Sequence, residues 1–254
     1  MQLATLKPPQ IVDRPSPNHG PRRETPTDMV VIHYTAMRDL EAGALRLADP
    51  SAEVSAHYLI GRCGTVMAMV PEDRRAWHAG RAHWGTVEDV NSRSIGIELD
   101  HDGAALSPLP PFAERQMASL ERLLRDVMAR HGVPAERVVG HACIAPMRKI
   151  DPGPKFDWRR LARNGLAVWI DPPAAALQPP VAPGDAAAMR RALEALGYPV
   201  PPAPAVWDAA LGAVWRAFAM RFLPSRASDA WAGDAAIAHA AALAARWPCK
   251  GAGV

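Results

Sequence analysis

Nine prolines fall between Asp171 and Pro204, at positions 172, 173, 179, 180, 183, 199, 201, 202 and 204. Each fixes its own φ and lacks an N–H, so no regular helix or central strand runs through a stretch where they crowd together. The densest part, 171–183, reads as a stiff linker. It divides the 254 residues into a long N-terminal part and a short C-terminal part. The latter carries three helical patterns, near 185–196, 206–222 and 233–246, each with an Ala/Leu/Trp stripe at helical spacing. A three-helix domain over 184–250 is the expectation.

The N-terminal part mixes strand and helix patterns. MVVIHYT, residues 29–35, reads as a short buried strand, and 39–48 as a short helix ended near Pro50. SAHYLI and TVMAMV flank the turn Gly61-Arg62-Cys63-Gly64 and read as a hairpin. Residues 71–93 show no period and are rich in Trp, His and Gly, as functional loops often are. In SIGIELD, Ile95, Ile97 and Leu99 share one face while Gly96, Glu98 and Asp100 share the other. Residues 112–131 form the clearest helix, with Met117, Leu120, Leu124 and Val127 on one stripe and Gly132 and Pro134 as stops. Residues 137–140 read as a last strand. The expected fold is α/β: a mixed central sheet with flanking helices over 23–168, an N-terminal extension over 1–22, and a linker over 169–183.

Hydrophobic residues make up 49% and charged residues 22%, ordinary for a globular chain. The formal charge is +3. The arginines are scattered, and lysine occurs only at positions 7, 149, 155 and 250, so the basic block that nucleic-acid binding needs is missing. Cys63, Cys143 and Cys249 are widely spaced and odd in number, which is no disulfide framework. No segment approaches the length of a membrane span. The opening residues lack the apolar stretch of a signal peptide, so the chain as written is expected in the cytoplasm, with periplasm or cell envelope the alternative if an export signal was removed. A monomer is expected.

His33 sits in a strand, and His141 follows the strand VVG where the chain leaves the sheet. Asp151 lies in Lys149-Ile150-Asp151-Pro152-Gly153. Pro152 biases Asp151 toward extended backbone, in which Lys149 and Asp151 face the same way. Two histidines and one carboxylate match the ligand count of a catalytic zinc, which keeps its fourth position open for water. Glu98, on the polar face of its strand, is placed to act as a general base. Singly, each has a bland reading: a surface or structural histidine, or a half-exposed strand end.

Five segments in order, VVIHYTAM, VSAHYLIGRCGTV, RAWHAGRAHWG, NSRSIGIELD and VVGHACIAPMRKIDPGPKFDW, resemble the zinc-dependent N-acetylmuramoyl-L-alanine amidases of the AmpD/AmiD-like branch, whose fold is shared with phage amidases and peptidoglycan recognition proteins. The resemblance covers roughly residues 20–165. It implies that His33, His141 and Asp151 hold one zinc ion, that Glu98 activates water, and that Lys149 stabilises the oxyanion. Trp77, His78 and Asn91 match substrate-side positions, and His57 matches a recurring histidine of the hairpin strand. The implied substrate is peptidoglycan or its muropeptides, cut between muramic acid, or its anhydro form, and L-alanine. The sequence departs from the pattern at Ala142-Cys143, Met147 and Ile150, none of them a matched ligand. Cys143 is two residues from His141, but its default is a small buried thiol. RRALEALGYPV, in the C-terminal part, resembles the small peptidoglycan-binding module of cell-wall hydrolases. The rival readings are a recognition protein without turnover, which the full residue set argues against, and a metallopeptidase, for which no His-Glu-x-x-His is present.

Overall fold

The structure is a computed structural model that describes residues 11–23, 25–103, 109–202 and 204–249. A six-stranded sheet of order β1-β5-β4-β7-β3-β8 forms its centre. These strands are β1 (Ile11–Asp13), β3 (Met29–Tyr34), β4 (Tyr58–Ile60), β5 (Val66–Ala68), β7 (Ser94–Leu99) and β8 (Val138–Gly140), and a separate ribbon pairs β2 (His19–Pro21) with β6 (Arg74–Ala76). Strand β3 runs parallel to both β7 and β8, β4 is parallel to β7, and β4–β5 is the antiparallel hairpin. The sheet is therefore mixed.

The apolar run Met29–Ile32 of β3 follows from burial on both sides, as a parallel strand inside a sheet requires. Val30 and Ile32 point to one face with Ile95, Ile97 and Leu99, against Leu120, Leu124 and Val127 of α3 (Glu114–His131). That helix stops at Gly132, whose left-handed φ of 66° lets its N–H reach the carbonyl of Met128. Met29 and Val31 point to the other face. Helix α1 (Leu40–Ala48), capped by the Asp39 carboxylate, packs Ala44 and Leu47 against Leu59. Helices α2 (Val90–Arg93), α4 (His141–Ile144) and α5 (Trp158–Arg163) are one or two turns each.

The C-terminal residues form three helices, α6 (Ala186–Leu196), α7 (Ala209–Phe222) and α8 (Asp234–Arg246). They are not held off by a free linker. One continuous core joins Leu193, Leu196, Tyr198, Val214 and Phe218 to Met29, Val31, Val139 and the three apolar residues of α4, and Ala176 of the proline-rich stretch is buried in it with Val168 just before that stretch. The Trp84 ring meets Tyr198 edge-on at 5.1 Å, and the Gly85 N–H donates to the Gly197 carbonyl at 2.8 Å. Proline fixed the local conformation, but composition could not tell that these residues lie against apolar surface.

The described part of the expected N-terminal extension is also built into the fold; residues 1–10 lie outside the described residues. Strand β1 adds to β5. Asn18 Nδ2 donates to the carbonyls of Asp49 and Val54, and the Arg22 guanidinium clasps those of Glu72, Asn91, Ser92 and Ser94. No helix among the described residues is long and apolar enough to cross a membrane.

Candidate metal centre

The topology puts the candidate groups at the carboxyl ends of three adjacent strands. In register, His33 of β3 stands opposite Glu98 of β7, and Ile32 stands opposite Gly140 of β8. His141 is thus the first residue past β8, beside His33. Asp151 returns to the same place because the Ala142 N–H donates to its carbonyl at 2.8 Å. Gly140 allows the approach: a Cβ there would lie 2.7 Å from Pro152 Cδ.

Three donor atoms converge. His33 Nδ1 is 2.9 Å from His141 Nδ1, His141 Nδ1 is 3.0 Å from Asp151 Oδ2, and His33 Nδ1 is 3.3 Å from the same oxygen. Ligand atoms about 2.0–2.2 Å from a tetrahedral zinc stand roughly 3.3–3.5 Å apart, so small outward shifts make this triangle one face of such a site. The three residues are 1%, 3% and 6% exposed. The donor set fits a divalent cation of borderline softness, zinc above all. His141 Nε2–H donates to the Ala79 carbonyl at 3.2 Å, which leaves its Nδ1 lone pair facing the triangle, as metal-ligating histidines require.

The electrostatics agree with the geometry. Burial, then the neighbouring His141, lowers His33 to about 4, so its ring is neutral at neutral pH. Burial alone would raise the Asp151 carboxyl, yet His141 and then His33 hold it well below the usual carboxylate range. Glu98 is pushed up to about 8 by burial and then by the Asp151 charge, with Lys149 opposing. Its buried Oε2 has no hydrogen-bond partner.

Glu98, His141, Lys149, Asp151, Trp77 and His78 all line one cavity of about 270 Å³, together with the loop after β3 and residues of α1. Trp77 is half-buried, with its backbone N–H donating to Ser55 Oγ at 2.8 Å. Asn91 does not line the cavity: its Oδ1 accepts from the backbone N–H groups of His78 and Ala79 at 3.1 and 2.8 Å. The His78 ring is buried and both its nitrogens meet protein groups, His33 Nε2 and Ser94 Oγ. His57, directly before β4, is buried, its Nδ1 accepting from Gly96 N–H at 2.9 Å. Cys143 turns away from the triangle, toward the Tyr198 hydroxyl at 3.5 Å. Sequence reasoning passed over Ser94 and the Ala79 carbonyl; the only signal was that Ser94, Gly96 and Glu98 share a face.

A mixed α/β sheet with two buried imidazoles, a buried carboxylate and a further carboxyl at its strand ends is an arrangement from which metal-dependent hydrolases are built. The profile of the family described as N-acetylmuramoyl-L-alanine amidase matches residues 23–154. The chain is 38% identical over 189 residues to N-acetylmuramoyl-L-alanine amidase AmiD of Escherichia coli, covering 68% of this chain and 67% of that one. To the E. coli 1,6-anhydro-N-acetylmuramyl-L-alanine amidase AmpD it is 38% identical over 165 residues, 58% of this chain and 87% of the relative. Among solved structures, the complex of E. coli AmiD with anhydro-N-acetylmuramic acid-L-Ala-D-gamma-Glu-L-Lys superposes with TM-score 0.77 at 33% identity, over 90% of this chain and 93% of that one. AmpDh3 of Pseudomonas aeruginosa, in complex with anhydromuramic pentapeptide, gives TM-score 0.73 at 30% identity, over 90% and 96% of the two chains. The chain belongs to the N-acetylmuramoyl-L-alanine amidase family.

Proposed function

We propose that this chain hydrolyses the amide between the lactyl group of N-acetylmuramic acid, or of its 1,6-anhydro form, and L-alanine of the peptidoglycan stem peptide. One zinc ion is held by His33, His141 and Asp151. The observation that carries the reading is the convergence of two imidazole Nδ1 atoms and one carboxylate oxygen beside the Glu98 carboxyl. Relatives crystallised with anhydromuramyl peptides support the muramyl–alanine linkage as the substrate.

When bound, zinc supplies Lewis acidity, which makes water a nucleophile near neutral pH and polarises the scissile carbonyl. The chain does the rest. Glu98 accepts the proton of the attacking water as the water oxygen bonds to the carbonyl carbon. A carboxyl at about 8 without metal is drawn back toward ionisation by a cation in the triangle, because an opposite charge nearby favours the charged form. The same carboxyl then gives its proton to the alanine nitrogen as the C–N bond breaks. Lys149, on the cavity wall, offsets the negative charge that grows on the carbonyl oxygen. Trp77 offers an apolar face to the sugar or peptide at the cavity mouth. All these groups come from one chain, so a monomer suffices.

The test is to incubate the purified protein with soluble anhydro-muropeptides and with sacculi, with and without a chelator, and to weigh the products. Stem peptides with a free L-alanine amine, lost on chelation and restored by zinc, support the proposal. Cleavage inside the peptide, or binding without products, contradicts it. Fractionating cells that express the full chain decides between a cytoplasmic and an envelope location.

A further inference from the structure

His33 has two ring nitrogens, and only an unprotonated Nδ1 can face a cation. Its tautomer is set by what Nε2 meets, and that is not a carbonyl but another imidazole. His33 Nε2 lies 3.0 Å from His78 Nδ1. His78 Nε2 lies 3.2 Å from Ser94 Oγ, which lies 2.6 Å from the carbonyl oxygen of Val90. The protons along this row follow from its last member. A carbonyl only accepts, so the Ser94 hydroxyl proton points to Val90 and Ser94 Oγ must accept from His78 Nε2–H. A neutral imidazole carries one N–H, so His78 Nδ1 is an acceptor. His33 Nε2–H therefore donates to it, and His33 Nδ1 presents its lone pair to the triangle.

The surrounding structure holds this row in place. The His78 ring lies flat on Gly96, where a Cβ would sit 2.4 Å from its Cγ. Asn91 Oδ1 binds the N–H groups of both His78 and Ala79, and the Ala79 carbonyl fixes the tautomer of His141. Two consecutive residues thus set both imidazoles, one through its ring and one through its backbone.

We propose that His78 is a positioning residue of the metal centre, which acts through His33 by holding it in the Nε2–H tautomer and is itself held by Ser94. This rests on the reading of His33, His141 and Asp151 as zinc ligands, and it moves His78 from direct substrate contact to support of a ligand. Partners of this kind change metal affinity by about 10–100-fold when removed.

The experiment uses the full zinc-loaded chain and measures zinc affinity by competition with a chromophoric chelator in wild type, His78→Leu, His78→Asn and Ser94→Ala. Leu fills space without accepting a hydrogen bond, whereas the Asn side-chain oxygen takes the place of Nδ1. The expected result is a loss of about 10–100-fold for Leu, recovery of most of it for Asn, and a smaller loss for Ser94→Ala. A packing role alone would favour Leu over Asn. Equal affinities in wild type and His78→Leu, or Asn no better than Leu, overturn the proposal. Imidazole ¹⁵N spectra of the wild-type protein read the tautomers directly and need no variant to fold. His78 must show a bare Nδ1 and a protonated Nε2, and the reverse overturns the relay even if zinc binds. Failure of the wild type to hold zinc would instead strike the ligand assignment.

Discussion

His33 and Glu98 are register partners on adjacent parallel strands, β3 and β7. One presents an imidazole to the metal triangle, and the other places a carboxyl with an unpartnered oxygen in the same cavity. Backbone pairing of the two strands sets the spacing of the proposed ligand and the proposed proton carrier, and no loop has to close to bring them together. Replacing Glu98 by Gln should leave the pairing and the zinc intact while removing the proton carrier. The expected kcat loss is about 10²–10⁴-fold, the usual size of a general acid–base contribution. A variant that keeps more than about a tenth of wild-type kcat would show that Glu98 does not carry the proton.

The metal-free protein should be most stable near the ordinary histidine pKa. Burial lowers His33 to about 4 and His57 to about 3, and drives His78 well below its ordinary value of 6.5. In the unfolded chain these rings take up protons near 6.5, so acidification below that point favours unfolding, and stability falls as pH drops toward 4. Glu98 works in the opposite sense. Folded, it keeps its proton up to about 8, whereas its ordinary pKa is 4.5. Its contribution is present at low pH and is lost as pH rises through that window. Thermal melts of chelated protein between pH 4 and 9 should show a maximum near neutrality, and Glu98→Gln should flatten the alkaline decline. An unchanged decline in the variant would contradict the buried, protonated carboxyl.

Gly96→Ala tests the close approach of the His78 ring to β7. The added methyl would meet His78 Cγ at 2.4 Å, and the ring is enclosed. Overpacking of this kind costs about 1–3 kcal/mol. A lower melting temperature together with weaker zinc binding is expected. Wild-type values of both would mean that the ring has room to move.

Truncation near Ala182 should lower stability and soluble-substrate turnover together. Without α6–α8, the apolar residues of α4 lose Tyr198, Val214 and Phe218 as packing partners, and α4 begins at His141. The reading of these helices as a polymer-binding module predicts a separate effect, weaker pelleting with sacculi at unchanged soluble turnover. Melting temperature, turnover of soluble muropeptides and pelleting, measured on one truncated protein, separate the two roles.

Much of this was legible because the informative residues sit in strongly patterned segments. Alternation in SIGIEL fixes which face Glu98 takes, and the run MVVIHY fixes a buried strand for His33. The short elements were not legible. Strand β2 is His-Gly-Pro, in which Gly and Pro disfavour strands, and β1 is exposed along its length. Helices α2 and α5, of 4 and 6 residues, are too short to show a period. The docking of the C-terminal helices was hidden because proline-rich composition reports backbone stiffness and says nothing of the surface beneath. The row from His33 to Ser94 depends on ring orientations across three segments, which no local pattern encodes.

The central claim is that His33, His141 and Asp151 hold the zinc with which this chain cuts a muramyl–alanine amide. Its most direct test is zinc content and anhydro-muropeptide turnover, measured on the same samples of wild type, His33→Ala, Asp151→Ala and Glu98→Gln. One zinc per chain and full turnover are expected in wild type, loss of both in the two ligand variants, and zinc without appreciable turnover in Glu98→Gln. Full zinc retention in both His33→Ala and Asp151→Ala would contradict it.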